Sequence, residues 1–296
     1  MTTILKFFIY LFACLLLSTL LLPLTYPLFE GIASTNPDRL LYRLGLLFCI
    51  IGLPIFLVNQ NLSSRISLGF AKNSQSELIT LFTALIIGVL ILVVLMFSFV
   101  LLDIRSIKWE NSLTLVKVIE ILIASFVSGI VVGLIEEFFF RGPMQTGARK
   151  ELGFWASALS IGFFYSSIHF MRPIAPSGAD ITIIESLSMF WGGITNISNV
   201  LEHPDRFVGL LIAGVFLSMV RERGKSLIWA IGIHAGWVMT IKISNEFTSV
   251  NYDSFYYFLV GNDGVVGWAS TIWLGSIAAI YWLVSSIKLN TKKSRV

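Results

Sequence analysis

A chain of 296 residues with 56% hydrophobic and only 13% charged residues lacks the polar surface a soluble domain needs to cover its core. With a mean hydropathy of +0.84, it reads as an integral membrane protein. The formal net charge of +4 requires no nucleic-acid partner, because cytoplasmic loops of membrane proteins carry excess Lys and Arg.

A membrane-crossing helix needs about 20 predominantly apolar residues. Eight stretches qualify as candidates: 7–29, 41–58, 78–102, 116–140, 154–171, 207–220, 227–243 and 265–287. The first follows Lys6 and runs on through Leu20, Leu21, Leu22 and Pro23 without a small-residue cleavage site, so it is expected to stay as a helix rather than be removed. The second and sixth are the shortest or most polar-flanked. Cys14 and Cys49 fall inside apolar stretches. They offer no disulfide or zinc framework, and a thiol in apolar surroundings is a poor nucleophile. No internal repeat or long linker divides the chain, which predicts a single membrane domain over 1–296.

Loop charges order these stretches. With the N-terminus inside, the cytoplasmic loops hold Arg65 and Lys72, Arg149 and Lys150, then Arg221, Arg223 and Lys225, and the tail adds Lys288, Lys292, Lys293 and Arg295. The opposite side holds Asp180, Glu185, Glu202 and Asp205, then Glu246, Asp253 and Asp263. Two earlier outer loops are mixed, with Arg39, Arg43, Arg105 and Lys108 beside acids. The later alternation follows the positive-inside rule with both termini cytoplasmic, and that needs an even number of spans. An all-α polytopic protein of about eight transmembrane helices is expected. Residues 181–206 are too polar to span and read as an interfacial or re-entrant piece.

The chemistry gathers in the second half. Glu137 and Arg141 are four residues apart on a helix, so an ion pair between them lowers the cost of burying both. Glu136 is turned about 100° away and lacks that partner. A carboxylate withdrawn from water without a counter-ion suits a general base. Charge inside a membrane span is costly and is by default a functional-site hypothesis. His169 and His234 also lie in apolar stretches, where a neutral imidazole can bind a metal or meet a developing oxyanion. His203 sits in polar sequence beside Glu202, Pro204 and Asp205 and reads as a loop residue. With a cytoplasmic turn at Arg149-Lys150, Glu136 and His169 lie about 20 and 28 Å deep, and His234 about 14 Å from Lys225. Tilt and a kink at Pro143 allow a shared level.

Glu136-Glu137-x-x-x-Arg141, a histidine on the next helix and a His234-Ala235 pair on a late helix resemble the three motifs of the CPBP family. These are the type II CAAX prenyl endopeptidases and their bacterial relatives, also called Abi proteins. The resemblance covers a core of about 115–243. It implies that Glu136 activates water, that Glu137 and Arg141 support it, and that His169 and His234 polarise the scissile carbonyl. Were zinc the cofactor, as in a metalloprotease, Glu136, His169 and His234 would suffice as ligands with an open water position. The same residues suffice without metal for a glutamate base facing an oxyanion.

The implied activity is an intramembrane endopeptidase acting on a membrane-anchored, lipidated or C-terminal sorting-signal peptide. Its partners would be membrane lipid and that peptide, with no nucleic acid. Its place would be a bacterial cell membrane or the endoplasmic reticulum of a eukaryote. Two positions depart from the family pattern. Tyr165 stands where the second motif has Phe, and Val238 stands where the third has Asn. Val238 offers no hydrogen bond, and Lys242 lies about 12 Å from His234 by helical rise. The alternative is therefore a non-catalytic membrane immunity or scaffold protein using the same fold. Transporter-like symmetry of discontinuous helices is not visible.

Overall fold

A computed structural model describes residues 1–29, 36–71, 77–108, 114–175, 181–261 and 263–293. Lys72, Asp180 and Arg295 of the charge pattern lie outside these. The chain forms α1 (Thr3–Phe29), α2 (Pro37–Asn59), α3 (Glu77–Leu101), α4 (Leu115–Phe139), α5 (Gln145–Phe170), α6 (Ile183–Thr195), α7 (Pro204–Gly224), α8 (Leu227–Phe247) and α9 (Trp268–Lys293). The expected all-α membrane architecture is present. A two-stranded antiparallel ribbon interrupts it, β1 (Arg105–Ile107) against β2 (Thr248–Val250), with Ser106 opposite Ser249.

Local signals set the helix ends. Pro37 opens α2, where a missing N–H costs nothing. The Thr114 hydroxyl caps α4 by accepting from the Lys117 N–H, and Ser226 does the same for α8 through Ile228. Thr182 and Glu185 form a reciprocal capping box on α6. The chain leaves α7 through Lys225 in the left-handed region, at φ 53°.

Six helical stretches are long and apolar enough to cross a membrane, or seven if α6 and α7 are one bent span. One of the six is the run Leu115–Phe170, 56 residues long. Straight, it would reach ~84 Å, far beyond a hydrocarbon core of ~30 Å. It breaks at Gly142 (φ −78°, ψ −114°) and at Gly153 (φ 75°), so α4 and the later part of α5 are separate arms. With those arms taken separately and the bent α6–α7 pair taken as one span, the described residues offer up to eight crossings. The segment 181–206 contains α6, which lies on α1 and turns through 96° into α7. Outward faces carry exposed apolar side chains such as Ile55, Leu78, Ile79, Leu115 and Val116, as lipid contact requires.

Helix α8 stands between α3 and α4, while α5 packs on α7 and α1 on α2. One apolar layer joins α3, α7, α8 and α9 around Phe99, Phe216 and Trp237. A second joins α1, α2, α5 and the α4–α5 corner around Phe7, Phe140, Met144 and Tyr165. Thr3 fastens the start of α1 to α5, its backbone N–H and its hydroxyl donating to Glu151 at 2.8 and 2.6 Å.

Candidate active site

The side chains that α4 buries are Ser125, Gly129, Gly133 and Glu137. Each is four residues from the next, so they form one stripe along the helix. A Cβ added at Gly129 would come within 2.5 Å of the Ala235 carbonyl oxygen, and one at Gly133 within 2.9 Å of that of Ile231. Small residues thus let the two backbones approach closely. That approach brings the next member of the stripe, Glu137, against His234.

Glu137 is fully buried, and its Oε1 accepts two hydrogen bonds. One comes from Arg141 Nη1 at 2.9 Å and the other from His234 Nδ1 at 2.8 Å. The expected Glu137–Arg141 pair is present, and the imidazole joins it. Arg141, also fully buried, donates from Nη2 to the Gly214 carbonyl at 3.3 Å and lies 4.7 Å from the Tyr165 ring centre. Removing two charges from water is compensated only when such extra bonds satisfy them.

After Phe139 the chain leaves α4 through one wider turn, Phe140–Met144, containing Arg141, Gly142 and Pro143. Wide turns of this kind recur at functional sites. The return along α5 presents Tyr165 and His169 on one face. His169 Nδ1 meets the Tyr165 carbonyl at 2.7 Å, and the two rings are 4.5 Å apart. Glu136 faces the same space. Its Oε2 is buried without a hydrogen-bond partner, 3.9 Å from His234 Nε2, and the Tyr165 phenol lies close enough to the carboxylate to interact with it.

Glu136, Glu137, Arg141, His169 and His234 therefore converge, bridging the depths expected from their spacing. His203 is instead the residue before α7. Lys242 bonds Ser128 Oγ at 2.7 Å in a separate polar pocket with Lys117 and Glu120. Tyr165 is the residue that sequence reasoning undervalued. Its position four before His169 was the available signal, as was the four-residue repeat of small side chains on α4.

The hydrogen bonds fix the imidazole tautomers. A carbonyl only accepts, so His169 carries its hydrogen on Nδ1. Glu137 Oε1 already accepts from Arg141, so His234 also donates from Nδ1. In the neutral form each Nε2 is then a lone pair. Such nitrogens suit a metal, but among the described residues no three His, Cys, Asp or Glu side chains are gathered so as to hold one.

Beside Glu136 lies a cavity of about 690 Å³, within the usual range for ligand pockets. Its lining includes Cys49, Leu53 and Pro54 of α2 and Leu134, Ile135 and Phe138 of α4, with Glu136 its one acidic side chain. Exposed Ile50, Val58 and Leu134 at its rim open it toward the lipid-facing side.

No curated protein and no solved structure matches the chain. Residues 118–240 do match a family model, described as type II CAAX prenyl endopeptidase Rce1-like. The segment that carries all five converging residues is thus similar to the Rce1-like type II CAAX prenyl endopeptidases, the family its three motifs resemble.

Proposed function

We propose that this protein is an intramembrane endopeptidase in which Glu136 activates water to hydrolyse a peptide bond of a membrane-anchored peptide. That peptide would bear a lipid or a C-terminal sorting signal. The observation carrying this reading is an apolar cavity that ends on one unpartnered carboxylate, Glu136 Oε2, opposite the free Nε2 of His234. Both atoms accept hydrogen bonds, and 3.9 Å is too long for a direct one. A water donating to each of them would be polarised by two acceptors and held for attack.

The chemistry follows from these positions. The water oxygen bonds to the carbonyl carbon while its proton passes to Glu136. The C–N bond then breaks, and the amine nitrogen takes that proton from Glu136. Glu137 holds His234 in the tautomer that accepts, and Arg141 fixes Glu137. The apolar cavity receives a lipid chain or apolar side chains, whose burial contributes roughly 25 cal/mol per Å². The loop charges support an orientation with both termini cytoplasmic.

The experiment is cleavage of an internally quenched farnesylated peptide by purified protein in liposomes. Glu136→Gln is expected to abolish turnover while leaving expression intact, and undiminished turnover in that variant would sink the mechanism. One feature favours the second reading, a non-catalytic membrane binding protein. Val238, one helical turn past His234, leaves the site without the amide donor that the family pattern places there. On that reading no Glu136-dependent cleavage is seen.

A further inference from the structure

The site needs a hydrogen-bond donor for the oxygen that becomes negative when water adds to the carbonyl, and both histidine Nδ1–H groups are already used. His169 Nδ1–H goes to the Tyr165 carbonyl at 2.7 Å and His234 Nδ1–H to Glu137 at 2.8 Å. Arg141 gives Nη1 to Glu137 and Nη2 to the Gly214 carbonyl, and its Nε is buried without a partner against the ion pair. Val238 has no donor. Trp237 Nε1 also lacks a partner, but its ring stacks on Phe216, with centres 5.9 Å apart, in the layer between α7, α8 and α9.

An O–H stands at the centre of the group. Tyr165 is 4% exposed. Its ring lies 4.5 Å from that of His169, 6.5 Å from that of His234 and 4.7 Å from the Arg141 guanidinium carbon. Its phenol is close enough to Glu136 for the two to interact. The ring is fixed from both sides, since Phe140 packs edge-on at 5.3 Å and a Cβ at Gly214 would stand 3.6 Å from it. A donor held this rigidly needs little reorganisation during reaction.

We propose that Tyr165 is a catalytic residue whose hydroxyl donates the oxyanion hydrogen bond in the place left by Val238. This rests on Glu136 being the base. In the resting site the phenol interacts with the Glu136 carboxylate. When the water oxygen bonds to the carbonyl carbon, its proton neutralises Glu136 and the C=O π pair moves onto the oxygen. The phenol O–H then turns from the neutralised acid to the new oxyanion, keeping its own proton. On collapse the pair returns to the C–O bond, the C–N bond breaks, and Glu136 protonates the amine.

The test follows turnover of the quenched farnesylated peptide by wild type, Glu136→Gln, Tyr165→Phe, Tyr165→Phe/Val238→Asn and Trp237→Phe, each also checked by thermal unfolding. Tyr165→Phe retains the ring and its packing, so the midpoint should hold. Its kcat is expected to fall by about 100-fold with KM little changed, the usual effect of removing one oxyanion donor. Asparagine at 238 should then recover about tenfold or more, because it returns an amide donor to the same helical face. Full kcat in Tyr165→Phe overturns the assignment, and so does a loss confined to Trp237→Phe. If wild type and Glu136→Gln are equally inert, the base reading fails and the assignment falls with it. Glu136-dependent cleavage that ignores Tyr165 overturns this assignment alone.

Discussion

His234 gives its Nδ1 hydrogen to Glu137 at 2.8 Å, although 97 positions separate the two in sequence. The same carboxylate oxygen holds Arg141 at 2.9 Å, so one buried acid orients a histidine and neutralises an arginine together. Losing it should damage fold and chemistry at once. Glu137→Gln leaves the fully buried Arg141 without its counter-charge, and removing one partner of such a pair costs about 3–5 kcal/mol. A lower unfolding midpoint in detergent is expected. The double variant Glu137→Leu/Arg141→Met should recover much of that stability without recovering turnover, because His234 would still lack its orienting acceptor.

Glu136 should behave in the opposite way. Its Oε2 is buried without a partner, and such a group costs about 1–3 kcal/mol more than a satisfied one. The structure therefore bears a cost at the position proposed for chemistry. Glu136→Gln is expected to leave the unfolding midpoint unchanged or raise it, by about 1 kcal/mol at most, while turnover is lost. A large fall in stability would show that the carboxylate has a structural partner.

The close approach of α8 to its neighbours can be tested at one atom. A Cβ at Gly236 would sit 2.4 Å from the Leu85 carbonyl oxygen, a contact with backbone that no rotamer change relieves. Gly236→Ala should force α3 and α8 apart and cost about 1–3 kcal/mol, with turnover falling as His234 moves off Glu137. Gly192→Ala is the matched control, because nothing lies within 4 Å of a Cβ there.

The cavity predicts a separation of kinetic constants. Leu53 lines it from α2, clear of the polar group. Leu53→Trp should fill space that an apolar chain would occupy, raising KM for a farnesylated peptide by about tenfold while kcat changes little. Such a pattern marks the loss of binding that is equal in ground and transition states. An equal fall in kcat would place the chain elsewhere.

Much of this arrangement can be read along the chain. The apolar stretches locate the crossings, and the Glu137–Arg141 pair follows from four-residue spacing on a helix. What resisted reading depends on which helices become neighbours. The His234–Glu137 bond needs α4 and α8 adjacent, and no local pattern around His234 states that. Arg105 is a sharper case, since the loop charges place it only in a mixed outer loop beside acids. It is 2% exposed, donating to Thr248 Oγ1 at 2.7 Å, the Gly264 carbonyl at 3.1 Å and Asn245 Oδ1 at 2.7 Å. Its partners lie 140 or more positions away, so its burial is a product of the assembled fold. Tyr165 was visible as a departure from a motif, but only its neighbours show that its hydroxyl reaches the site.

The division of labour around the cavity has a consequence for how such a protein can diversify. The polar group is built by α4, α5 and α8, with α8 pressed between α3 and α4, so substitutions in that half are confined by backbone contact. The facing wall is α2, whose main packing partner is α1, and it supplies none of the five converging side chains. Changes in length or shape along Cys49, Leu53, Pro54 and Leu57 alter the room available to an occupant without disturbing a proton or a charge. The hydrolytic group and the choice of guest can thus vary on separate helices, so new preferences can arise while the reaction stays the same.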